Sequence, residues 1–66
     1  MCESTVYLIR SGKKEAFMKE VARIDIGKDT FKCRDILGET RELKGAVLKE
    51  IDLVGHSIVF EARGGK

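Results

Sequence analysis

At 66 residues the chain has room for one domain. A domain of this size buries only roughly 60% of its unfolded surface, so dimerisation or a bound metal is expected to add stability. The net charge of +2 is small beside so many charged side chains, no apolar stretch is long enough to span a bilayer, and no signal-peptide core follows the N-terminus. Two cysteines in such a chain point to a reducing cytoplasm rather than to a disulfide framework.

The chain opens Met1-Cys2-Glu3, which places a thiol within one residue of the N-terminal amine. If Met1 is removed, the amine and thiolate of Cys2 close a five-membered chelate ring on a metal. If Met1 stays, its amine, the Cys2 amide nitrogen and the Cys2 sulfur form two fused rings. A deprotonated amide in that set favours a planar arrangement, which suits Ni(II) or Cu(II) better than Zn(II). Metal binding would draw the thiol proton off well below the free value of about 8.5. Two or three donors are an incomplete set, and two Cys2 ends side by side in a homodimer would supply four. The plain alternative, an ordinary second residue on a frayed terminus, stands beside this reading.

From there the chain reads as short strands separated by Gly-centred turns, with no proline to fix the turn angles. Residues 2–10 alternate, with Ser4, Val6 and Leu8 on one face and Thr5, Tyr7 and Ile9 on the other. Both faces carry apolar groups, as in a strand buried on both sides. Ser11-Gly12-Lys13 reads as a hairpin turn. Residues 13–25 carry Phe17, Val21 and Ile24 at helical spacing, but no capping residue stands just before them. Flanked by strands, they are read as two short strands broken at Lys19-Glu20.

Gly27-Lys28-Asp29-Thr30 is a turn, and residues 31–35 alternate with Phe31 and Cys33 on one face. Cys33 is therefore expected as a small core residue and not a ligand. Leu37-Gly38-Glu39 leads into a polar strand, residues 40–43, with the charge pattern of an exposed edge; Gly45 ends it. Residues 47–54 place Val47, Ile51 and Leu53 at odd positions, and Gly55-His56 is the tightest hairpin candidate. Ile58 and Phe60 face one way in the last strand. The expected architecture is all-β, a small, mostly antiparallel barrel or sandwich of six or seven short strands, with one domain over residues 1–62 and a mobile tail over residues 63–66.

Familiar catalytic and metal motifs are missing. The chain has no CxxC, no HExxH and no phosphate loop, and its one histidine, His56, follows Gly55 where a turn residue is expected. Cys2 and His56 lack a third group to complete a nucleophilic site, so an enzyme is not expected. The alternative is a small barrel that binds RNA. It is weakened because Tyr7, Phe17, Phe31 and Phe60 sit where a core needs them, and the basic residues are interleaved with acids.

Taken together, MCESTVYLI at the start, VARIDIGKDTFKCRDILGE in the middle and LKEIDLVGHSIVFE near the end resemble the CooT family, whose members are nickel-binding accessory proteins of carbon monoxide dehydrogenase and often carry the label of RNA-binding protein. The resemblance covers Met1 to about Glu61, and its most specific element is the Met-Cys start followed by a strand. It implies an SH3-like barrel, a homodimer, Ni(II) held through Cys2 and a client nickel enzyme such as carbon monoxide dehydrogenase. It recruits neither Cys33 nor His56.

Overall fold

In a computed structural model, which describes residues 3–63, those residues form six strands and no helix. They are β1 (Ser4–Arg10), β2 (Lys13–Ile26), β3 (Thr30–Asp35), β4 (Thr40–Lys44), β5 (Ala46–Asp52) and β6 (Ser57–Ala62). One sheet holds them in the order β4-β3-β2-β1-β6-β5. Four of its ladders are antiparallel; the β1–β6 pair is parallel.

β1 is the strand the others are laid against. Its alternation turns Val6 and Leu8 into the core, and Thr5, Tyr7 and Ile9 are half-buried on the other face. It leads into β2 through Ser11-Gly12, both at positive φ (54° and 79°). This is the two-residue turn whose twist matches that of its flanking strands.

β2 corrects the expectation of two short strands. Residues 13–26 are continuous, and Lys19-Glu20 is a bend rather than an end. Ser4 pairs with Val21 and Val6 with Met18, so β2 carries one extra residue there, and Glu20 takes φ 57°. Beyond the bend β2 leaves β1 for β3, pairing Ile24 with Cys33 and Ile26 with Phe31, and the Glu20 carbonyl accepts the Ile36 amide at 3.0 Å. A bulge supplies just this local bend and extra twist. A second one at Phe17 frees its carbonyl, which accepts Arg41 Nη1 at 2.6 Å while the guanidinium lies over the Phe17 ring.

The turn from β3 to β4 is built on Asp35, whose Oδ1 accepts the amides of Leu37 and Glu39, both at 2.9 Å. β4 is the exposed, charged edge its sequence suggests. Gly45, at φ 69°, then carries the chain directly from one sheet edge to the other, because β5 is the opposite edge. The sheet therefore curls until its edges meet end to end at a single residue; among the described residues no ladder joins β4 to β5. The Gly45 carbonyl accepts the Arg63 amide at 2.7 Å, and Arg63, grouped with the tail by its sequence, also pairs with Asp29.

Every strand contributes to one core: Val6 and Leu8, Met18 and Val21, Cys33, Leu43, Ala46, and Phe60. Phe60 is 1% exposed and packs on Phe31 with ring centroids 4.6 Å apart. β5 departs from expectation. Its apolar side chains Val47, Leu48 and Ile51 lie largely in the open, as do Leu53 and Val54 beyond it. The turn that follows is four residues long, wider than the Gly55-His56 hairpin expected: Asp52 Oδ1 accepts the amides of Val54 and Gly55, and the residue at positive φ is His56 (58°).

Candidate metal centre at the start of β1

The ligand expected from the sequence, Cys2, lies outside the described residues, as does Met1. The structure does describe the ground on which they stand. Glu3 is half-buried, and β1 begins one residue later at Ser4, hydrogen-bonded on one side to β2 and on the other to β6. A strand paired on both sides is the most rigid support this fold offers for a short terminal chelate.

Two hollows open at this end. One, of about 310 Å³, is lined by Ser4, Asp52, Leu53, His56 and Ser57. The other is an apolar cleft of about 270 Å³ between the bent half of β2 and β5, lined by Ser4, Ile24, Ile26, Leu48, Ile51 and Ile58. It exists because the sheet curls without a closing ladder, which leaves Ile26 72% and Ile51 53% exposed.

His56 enters this region through the parallel pairing. Thr5 stands opposite Ser57, so Ser4 and His56 come level one step earlier, and the Thr5 amide donates to the His56 carbonyl at 3.0 Å. Sequence reasoning placed His56 in its turn but missed this neighbour. Contact between a first and a last strand leaves no local spacing to read.

Cys33 is elsewhere. It is fully buried in the core, between Ile24 and Arg41 on the adjoining strands. Burial pushes its thiol above the usual range, an effect the Arg41 guanidinium partly opposes. A thiol that resists ionisation and cannot be reached is a packing group. Among the described residues no three His, Cys, Asp or Glu side chains gather closely enough to hold a metal.

The aromatics are also occupied. Lys14 lies over the Tyr7 ring at 4.8 Å, Arg41 over Phe17 at 4.3 Å, and Phe31 packs on Phe60. Bases stack on open ring faces, and these rings are engaged from within the chain. No helix among the described residues is long and apolar enough to cross a membrane.

The fold is that of a small all-β protein of six strands, and the ligand expected from the sequence precedes its first strand. The family of the CO dehydrogenase accessory protein CooT matches residues 1–61, and the chain belongs to that family. An uncharacterized protein of Archaeoglobus fulgidus is 48% identical over 44 residues, covering 67% of this chain and 96% of that protein. A crystal structure described as CooT from Carboxydothermus hydrogenoformans superposes with a TM-score of 0.83 at 24% identity, covering 94% of this chain and 98% of the other. It is similar in fold.

Proposed function

We propose that this chain is a nickel-binding accessory protein, not an enzyme, working in the cytoplasm. It takes up Ni(II) as cargo through Cys2 and passes it to a client nickel enzyme, with carbon monoxide dehydrogenase the first candidate. The observation that carries the reading is the family match, which begins at residue 1 and so includes the Met-Cys start. The burial of Cys33 supports it by elimination, since Cys2 is the remaining thiol of the two. The donor types fit the ion, because amine, amide nitrogen and thiolate are the kinds of donor that a tetragonal nickel site accepts, and a second Cys2 end would complete the set. A thiolate at a chain end also suits delivery, since an incoming ligand can replace one donor at a time.

The working unit in this reading is a homodimer that holds one ion between two Cys2 ends. The apolar cleft beside Ser4 supports it. Ile26, Leu48 and Ile51 line this cleft and are exposed, and a second copy seated there would cover them. Dimerisation would also supplement a core of only a few large side chains.

Nickel titration of tag-free protein, followed by thiolate-to-metal absorption and native mass, tests this directly. One ion per pair of chains is expected, with binding abolished by Cys2→Ser and retained by Cys33→Ala. Full nickel uptake by Cys2→Ser would overturn the assignment. A species that stays monomeric at all concentrations would overturn the shared site.

A further inference from the structure

We propose that the hollow between the β1–β2 hairpin and β4 is a carboxylate-binding site, in which Arg41 and Arg10 together receive one carboxylate from outside the chain. It lies toward the hairpin end of β1, away from Ser4, and does not depend on the nickel reading.

The hollow measures about 250 Å³ and is lined by Leu8, Arg10, Glu15, Ala16, Phe17 and Arg41. Arg41 is held ready in it. The bulge in β2 frees the Phe17 carbonyl, Arg41 Nη1 donates to that oxygen at 2.6 Å, and the guanidinium rests over the Phe17 ring at 4.3 Å. An arginine on an open surface gives up side-chain freedom when it grips an anion; this one has given it up on folding. The bond to Phe17 uses one of the five N–H donors of the group. Arg10 reaches the same hollow from β1, two residues beyond Leu8, whose buried side chain lends the wall an apolar part. The ion pairs among the described residues engage Arg23, Lys49 and Arg63, so neither Arg10 nor Arg41 has a carboxylate of its own there.

Charge selects the ligand. A guanidinium fork matches a carboxylate or a phosphate in shape. Glu15, opposite Leu8 in the β1–β2 ladder, also lines the hollow. Two guanidiniums less one carboxylate leave one net positive charge, which a single carboxylate cancels. A doubly charged phosphate would exceed it and meet the repulsion of Glu15 as well.

The test is a titration of the isotope-labelled full-length protein, followed by NMR, with sodium acetate, a capped tetrapeptide bearing one glutamate, sodium phosphate and, at matched ionic strength, sodium chloride. Saturable acetate-dependent shifts are expected at the amides of Leu8, Phe17 and Arg41. Arg10→Gln and Arg41→Gln should each weaken acetate binding about two- to tenfold. Glu15→Gln should strengthen it about two- to fivefold, a gain that a misfolded variant cannot produce and that leaves both arginines in place. Tighter binding of the peptide than of acetate would assign the carboxylate to a protein partner, and equal binding to a small organic acid; either supports the site. Shifts that chloride reproduces, or an acetate affinity unchanged by both Arg10→Gln and Glu15→Gln, would overturn it. Phosphate binding more tightly than acetate would overturn the choice of ligand. Nickel enters none of these measurements, so their failure leaves the assignment of Cys2 where it stands.

Discussion

Raising the pH past the ordinary range of a thiol is a perturbation to which Cys33 should respond. In the unfolded chain a thiol loses its proton near pH 9.0, but in the folded protein burial holds that proton to a higher pH. Folding is therefore unaffected by this group below pH 9.0, and loses stability as the pH rises from there toward the folded value, because only the unfolded state can shed the proton. The loss is at most about 1.4 kcal/mol per pH unit. A domain of this length has roughly 3–10 kcal/mol in total, so one to two units of alkalinity are a large fraction of it. Cys33→Ala deletes one buried heavy atom and should cost about 1 kcal/mol at neutral pH, by analogy with Ile→Val. It also removes the alkaline loss. Urea denaturation of both proteins from pH 7 to about 10.5 is the assay, in which Lys and Tyr titrations cancel in the difference. The parent's advantage should shrink steadily above pH 9.0. Parallel stability curves across the whole range would show that the Cys33 thiol ionises as freely folded as unfolded, contrary to its position in the core.

Three further outcomes are expected. Arg41→Ala removes both the hydrogen bond to the Phe17 carbonyl and the cation over its ring, and should cost about 1–2 kcal/mol in the same denaturation assay. Gly45→Ala meets no atom within 4 Å but must hold φ 69°, so its cost should be that of the backbone alone, about 1–2 kcal/mol. Ile51→Glu, at a side chain 53% exposed in the single chain, should leave the monomer's stability within about 0.5 kcal/mol while shifting sedimentation toward the monomer.

The features legible in the sequence are those written in neighbouring residues. The alternation from Ser4 to Ile9 identifies a strand buried on two faces, and it is the central one. Phe31 and Cys33 on one face place the thiol in the core, and Ser11-Gly12 and Leu37-Gly38 mark turns where turns occur. What lies between distant residues was not legible. The Lys19-Glu20 break reads as the end of a strand because a bulge and a true terminus share the same polar signature; only the partner on either side tells them apart. Val47, Ile51 and Leu53 read as one apolar face, yet all three are exposed, since nothing local says that the strand bearing them is an edge over an open cleft. For the candidate site, position alone singles out Cys2, which lies outside the described residues, while the approach of His56 to Ser4 and Thr5 emerges only from the parallel ladder.

That ladder also governs when the molecule can come into being. Of the six strands β1 is synthesised before the others, yet one of its two partners is β6, made after them. A hairpin of β1 and β2 can form early, but the ladder along the other side of Thr5 to Ile9 must wait until Glu61 has been made. Until then the β1–β2 hairpin lacks one of the two neighbours that flank β1 in the finished sheet, and the sheet can curl around its core only as the last strand docks.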